Sequence, residues 1–280
     1  MRVRVLGTAA GGGLPQWNCG CEVCERARTS GRHRAQDCLA VSGDGRSWYL
    51  INASPDLRAQ LLSHADLGPA PGARASPLRG VLLTSAELDH TLGLVTLREA
   101  DRLTVYATES VWAALPLRDI LSSYTDVNWV PVRPGVPVQL DGGIIATAFA
   151  AGTKPPRYAQ GPAPGLTVAY RFHDPGTGGT VVYAPGLAEW SEEFERGLTG
   201  ADVVLLDGTF ASAGELRPDG ARSMGHLSIQ DSLPRLIASP GPRYLYTHLN
   251  NTNPYAHDDG CAISEGHDVR VACDGELIVV

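Results

Sequence analysis

The sequence predicts an α/β chain folded as a four-layer αββα sandwich, two sheets face to face with helices outside. Three observations predict it. Short apolar runs bounded by Gly, Pro, Asn and Asp recur along the 280 residues, as buried strands do. Helical patterns follow the ends of those runs. Strand runs also open both halves of the chain. Hydrophobic residues reach 43%, enough for a sizeable core, and 32 Gly with 20 Pro favour many turns over long helices. No solenoid-period repeat and no low-complexity linker divides the chain, so residues 1–280 read as a single domain.

Residues 2–7 form the first strand and run into Gly11-Gly12-Gly13. Consecutive glycines allow positive φ and close backbone approach, so this is either a loop lining a site or a plain turn. Cys19-Gly20-Cys21-Glu22-Val23-Cys24 follows. That spacing lets three thiolates face one point, as in a structural zinc site with its fourth ligand elsewhere. Three reduced core cysteines are the alternative. Glu25 to Arg34 is charged and reads as surface. Cys38–Ser42 and Trp48–Asn52 form a hairpin around Gly43-Asp44-Gly45. A helix follows, with Ser54 as N-cap, Pro55 at its first position and Asp56 as a helix-start acid. Residues 68–79 are an excursion loop.

The apolar run Gly80–Leu83 reads as a buried strand. It ends in a turn carrying Glu87, Asp89 and His90, then a helical pattern through Arg98 and Glu99. Strands are expected at 103–107, 129–132, 136–138, 144–149, 166–172, 180–183, 203–210, 243–248, 269–272 and 276–280. Helices are expected at 110–115, 188–198 and from Ser228 to near Ser239.

Composition excludes several functions. The formal charge of −7 argues against a general nucleic-acid binder, which needs clustered Lys and Arg. No run of 18 apolar residues suggests a membrane span. The apolar part of the first residues is too short for a signal peptide, so a cytoplasmic location is the default. In a reducing compartment, three of the 6 cysteines crowded between 19 and 24 point to metal rather than disulfides.

Polar groups stand at four strand ends: Ser54 with Asp56; Glu87, Asp89 and His90; Asp207; and His248. His226 joins them from a loop. Acids and histidines gathered at strand ends suit zinc, manganese or iron, and two His with one carboxylate leave positions open for Fe(II) and O₂. The alternative is a set of ordinary turn residues, with Asp89 capping a helix.

Seven segments then carry a resemblance. They are Val5 to Cys19, Asn52-Ala53-Ser54-Pro55-Asp56, Asp89-His90-Thr91-Leu92-Gly93-Leu94, Tyr183-Ala184-Pro185-Gly186-Leu187, Asp207-Gly208-Thr209-Phe210, Met224-Gly225-His226-Leu227, and His248-Leu249-Asn250-Asn251-Thr252-Asn253-Pro254. In order and over nearly the whole chain, they resemble the coenzyme PQQ synthesis protein B family of the metallo-β-lactamase superfamily. The hydrolytic superfamily's Thr-His-x-His-x-Asp-His frame reads Thr84-Ser85-Ala86-Glu87-Leu88-Asp89-His90 here. Its bridging Asp falls on Gly186, and its loop His is missing near Thr153-Lys154. A two-metal hydrolase needs both ions, so these losses point to one metal held by Asp89, His90 and His248, with Glu87 as a further candidate.

The resemblance implies an iron-dependent hydroxylase that uses O₂ on the cross-linked Glu–Tyr intermediate of PQQ synthesis, or on a related peptide-derived substrate. It implies Fe(II) in the centre, replaceable by zinc in vitro. His226 would donate or accept a proton, or contact substrate, with Asp207 behind it. Similarity to PhnP-like phosphodiesterases implies structural zinc at Cys19, Cys21 and Cys24, with Asn251 where their fourth ligand stands. Lys154-Pro155-Pro156-Arg157-Tyr158 departs from the family pattern in a stretch expected to face substrate. Ser54, Asp56 and Lys154 are the candidate substrate-side residues, and a homodimer is kept open. A phosphodiesterase-like hydrolase and a non-catalytic PQQ carrier are the alternative functions.

Overall fold

In a computed structural model, residues 1–280 are described apart from Gln160, Arg217, Asp219, Asp258, Asp259, Cys261 and Glu265. The first sheet takes β1 (Arg2–Gly7), β2 (Cys38–Ser42), β3 (Trp48–Ile51), β4 (Leu78–Leu82), β5 (Arg102–Ala107) and β6 (Asp126–Pro131). The second takes β7 (Pro137–Gln139), β8 (Ile145–Gly152), β9 (Thr167–His173), β10 (Thr180–Ala184), β11 (Val203–Asp207), β12 (Arg243–Thr247) and β13 (Val269–Val271). The last strand, β14 (Leu277–Val279), returns to the first sheet beside β1. Both sheets have seven strands, in the orders β14-β1-β2-β3-β4-β5-β6 and β13-β12-β11-β10-β9-β8-β7. The expected sandwich is therefore present.

Why the strands read as continuous apolar runs is now visible. Val181 and Tyr183 of β10 point into the core between the sheets, with Val5, Ile51, Leu82 and Leu205. Val182 and Ala184 of the same strand point outward under a helical layer, against Phe194 and Leu206. The first sheet is covered likewise: Leu50 and Val105 pack outward with Leu57 and Leu94. A strand buried on both faces has no polar alternation to show.

Helices lie outside the sheets: α1 (Glu22–Ser30), α2 (Leu57–Leu62), α3 (Leu88–Thr91), α4 (Glu109–Ala114), α5 (Arg118–Ser122), α6 (Glu192–Leu198), α7 (Gly220–Ser223) and α8 (Ile229–Ala238). The pattern after α3 is a 3₁₀ stretch, Leu92–Glu99, rather than more α-helix. Thr108, Ser191 and Ser228 each accept a backbone N–H as N-caps of α4, α6 and α8.

Two expectations are corrected. Ser54 does not cap α2, which starts at Leu57 with Asp56 in the N-cap position. The Ser54 hydroxyl instead accepts the Asp56 N–H at 3.3 Å and donates to Gln60 Oε1 at 2.9 Å, closing the turn that leads in. Glu25 to Arg34 is not simply surface: α1 buries Cys24 and Ala27. Arg34 is itself buried, donating to the Ala256 carbonyl and the Thr8 hydroxyl. Among the described residues, no helix is long and apolar enough to cross a membrane.

β3, β4, β5 and β6 run parallel, as do β10, β11, β12 and β13. Chemistry in such sheets gathers beyond the carboxyl ends of parallel strands, and the cavity described next lies there.

Candidate metal centre

β4 delivers Asp89 and His90, β11 delivers Asp207, and β12 delivers His248. Backbone strain marks the turns: His248 has φ 58° and Asn52 φ 65°, both rare for residues other than Gly. Asn52 earns its conformation locally, because its Oδ1 accepts the Thr84 N–H at 2.9 Å and the Thr84 hydroxyl at 3.0 Å. Those bonds fasten the end of β3 to the turn that carries Asp89. Gly11 lets the glycine loop close over the site: a Cβ there would stand 3.2 Å from Asp89 Oδ2.

One oxygen of Asp89 and one ring nitrogen each from His90 and His248 lie within 4.8 Å of one another. His248 Nε2 is 3.3 Å from Asp89 Oδ2. His90 is 5% exposed, and its Nε2 is buried with no hydrogen-bond partner. An orphaned buried nitrogen costs about 1–3 kcal/mol, so a group that pairs with it fits here. Its Nδ1 lies 2.7 Å from Ser85 Oγ and 3.3 Å from Thr84 Oγ1. Because the Thr84 O–H goes to Asn52, its oxygen is left to accept from the ring.

Asp207 works differently. Its Oδ1 accepts the Thr209 N–H at 3.0 Å and the Thr209 hydroxyl at 2.7 Å. Its Oδ2 accepts the Leu187 N–H and His226 Nδ1, both at 2.8 Å. With its proton given to Asp207, Thr209 Oγ1 can only accept from His248 Nδ1 at 2.8 Å. Donor accounting thus places a proton on Nδ1 of both His226 and His248, with His226 Nε2 left for the cavity and His248 Nε2 facing Asp89. Asp207, His226 and His248 also have ligand atoms within 4.8 Å of one another.

Electrostatics separates these groups. Burial opposes ionisation of Asp89, but His90 and His248 outweigh it and hold its carboxyl below the usual range. Burial drives His90 down to about 4, so it is neutral. Burial also opposes charge on His248, yet its bond to Asp89 and the carboxylates of Asp89, Asp37 and Asp207 lift it to about 9. Burial raises Asp207, but His226 and His248 reverse that and its carboxyl lies low.

The other expected residues divide. Glu87, Lys154 and His226 line the cavity with Asp89, His90 and His248. The Glu87 carboxylate is in neither close-set ligand group among the described residues. Burial, with Asp89 nearby, raises its pKa. Lys154 Nζ is committed to the Met224 carbonyl at 2.6 Å. Ser54 and Asp56 do not reach this cavity. Ser54 is buried behind it, and Asp56 lines a separate hollow, accepting the Gln36 N–H at 2.8 Å. Their strand ends at Ile51, and the turn at Asn52 diverts the chain away.

Cys19, Cys21 and Cys24 do converge, their sulfurs within 4.8 Å of one another. Asn251 stands over them, its Nδ2 3.4 Å from Cys24 Sγ and 3.8 Å from Cys21 Sγ. Its carbonyl oxygen is 3.5 Å from Cys21 Sγ. Three convergent sulfurs with an oxygen and an amide above them suit zinc.

Three residues went unread from sequence. Thr209 orients two histidines, Thr84 supports a third, and Asp37 sits behind His248. The Asp37 carboxylate accepts the hydroxyls of Thr247 and Tyr183, joining both sheets, and burial pushes it up to about 6.

Residues 47–249 match the model of the beta-lactamase superfamily domain. The chain is 36% identical to "Coenzyme PQQ synthesis protein B" of Azoarcus sp. (strain BH72), covering 99% of each. It is 39% identical to the protein of that name in Bradyrhizobium diazoefficiens, over 91% of each. The chain belongs to the coenzyme PQQ synthesis protein B family. Among solved structures, Zn(2+)-bound PqqB from Methylobacterium extorquens superposes with a TM-score of 0.91 at 32% identity, covering 100% of both chains. A diphosphatase of the PhnP family superposes at 0.76 with 20% identity, over 100% of this chain and 97% of the other, and so shares the fold.

Proposed function

We propose that this chain is a metal-dependent hydroxylase of PQQ synthesis or of a related peptide-derived pathway. Its substrate would be a cross-linked Glu–Tyr compound, hydroxylated on the tyrosine ring: one atom of O₂ would enter the ring and the other would leave as water, with two electrons and two protons from an external small-molecule reductant. One observation carries the reading: Asp89, His90 and His248 form a single carboxylate-and-two-histidine set with a buried, unpartnered nitrogen aimed into an open cavity. Fe(II) held by these residues would supply the oxygen chemistry, since such a set leaves positions for substrate and O₂ together. Family membership supports the pathway, and the zinc-bound crystal structure of the Methylobacterium extorquens relative supports metal binding.

The chain's own residues then have definite tasks. Thr209 holds the Nδ1 proton of His248, so that Nε2 is the nitrogen a metal would meet. Ser85 and Thr84 do the same for His90. Asp207 orients His226, whose Nε2 takes the proton of a substrate hydroxyl. Phe210 and Met224 give the ring an apolar wall, and Arg157 puts a cation at the rim for a substrate carboxylate. Glu87 faces the same cavity as an acid beside the metal set. Cys19, Cys21 and Cys24 would hold a structural zinc, with Asn251 beside them where the fourth ligand of such a site stands.

The set of Asp207, His226 and His248 favours a second reading, a two-metal hydrolase. Hydrogen bonding weighs against it. Asp207 already accepts four donors, and His248 Nδ1 is spent on Thr209. Protein prepared without oxygen and loaded with Fe(II) should bind one iron beside the cysteine zinc. Given a two-electron reductant such as ascorbate, it should consume O₂ with a synthetic cross-linked Glu–Tyr dipeptide beyond the rate without the dipeptide. Product formed under strict anaerobiosis would overturn the hydroxylase. A second non-cysteine metal would favour the hydrolase.

A further inference from the structure

The chain leading into His226 has only one short helical turn of regular structure. Helix α7 is only Gly220–Ser223, too short to hold itself together. Met224 and Gly225 follow, with Gly225 at φ 84°, and then His226. The last carbonyls of a short helix have no intrahelical donor and favour a cation. Lys154 supplies one. Its Nζ donates to the Met224 carbonyl at 2.6 Å. Its chain also packs on the turn: a Cβ on Gly225 would meet Lys154 Cδ at 3.0 Å.

Two further features suit a clamp. Lys154 lies two residues past the end of β8 at Gly152 and precedes Pro155-Pro156, whose fixed φ stiffens the segment. The ammonium therefore comes from a framed position beside the second sheet. Lys154 and Glu87 line the same cavity, and the Glu87 carboxylate favours the charged ammonium.

We infer that Lys154 is a positioning residue: it fastens the Met224–His226 turn so that His226 faces the substrate, rather than binding substrate itself. This rests on the proton-accepting role proposed for His226. No other described residue has a side-chain hydrogen bond to the Met224 carbonyl.

The test uses Fe(II)-loaded protein, ascorbate and the synthetic cross-linked Glu–Tyr dipeptide, with Lys154→Met, Lys154→Arg and His226→Ala. Lys154→Met should lower kcat about 100-fold with KM little changed, the usual result of displacing a reacting group by about an ångström. Lys154→Arg, which keeps a cationic donor, should recover much of that loss. Amide hydrogen exchange over residues 220–228 of the resting protein should speed up in Lys154→Met and stay slow in Lys154→Arg. A raised KM with unchanged kcat would make Lys154 a substrate contact and overturn the proposal. Unchanged exchange in Lys154→Met, with His226→Ala inactive, would overturn the clamp and leave the His226 role standing. Full activity in His226→Ala would overturn that role, and the positioning proposal with it.

Discussion

Two acid-and-histidine groups share His248, and their hydrogen bonding differs. On the first sheet's side, Asp89 and His90 leave a buried nitrogen unpartnered. On the second sheet's side, Asp207 is surrounded by donors from Leu187, Thr209 and His226. The ligand types are alike and both sets fit within the same 4.8 Å span. Spacing alone therefore does not separate a coordination site from an orienting network. Counting donors and acceptors does, because a carboxylate already saturated by N–H and O–H groups has little left for a cation.

The sharpest way to break this contrast is His90→Ala. It should abolish iron uptake at the centre and with it oxygen consumption, while zinc at the cysteines persists; elemental analysis and an oxygen electrode decide. Retained turnover would instead favour a carrier. Asp207→Asn should keep one iron per chain but lower kcat by about 100-fold through loss of a properly oriented proton acceptor. If it instead removes the iron, Asp207 is a ligand and the contrast fails.

Thr209→Val should have a smaller effect, weakening iron affinity by about 10- to 100-fold as expected for a partner behind a ligand. Competition with a chelator measures it, and an unchanged affinity would deny Thr209 its orienting role. The smallest effect is on stability. Asp37 lies behind the shared histidine with a folded pKa of about 6, above the ordinary 3.8. The folded state therefore binds its proton more tightly, so this acid's contribution falls as pH rises from about 4 to 6 and is then constant. The melting temperature of wild type minus that of Asp37→Asn should be larger at pH 4 than at pH 7, by calorimetry. A difference that grows towards pH 7 would reverse the sign.

The same contrast shows what was legible in the sequence. Strands buried on both faces left continuous apolar runs, so most were placed within a few residues. Asp89, His90, Asp207 and His248 stood out because polar groups closing such runs have few other uses. Helix α1 escaped notice because only Cys24 and Ala27 of its nine residues are buried, too narrow a stripe to show a period. Ser54 and Asp56 misled for a related reason. They too follow a strand, but the left-handed Asn52 turns them away, and no local pattern announces that. Thr209 is a common residue whose importance lies wholly in what it touches. Asp37 could have been noticed as an acid set against the apolar strand Cys38–Ser42.

The segment after β12 carries a last consequence. His248 belongs to the proposed metal set, and Asn251, three residues on, stands over the cysteines. Asn253 fastens the same segment to the Gly208 carbonyl beside Thr209. Ordering one end of so short a tether leaves less freedom to lose at the other, so two metals bound there would favour each other's retention. Assembly would then have a natural sequence: the thiolates capture zinc from a largely local loop, and the catalytic ion enters a cavity already braced.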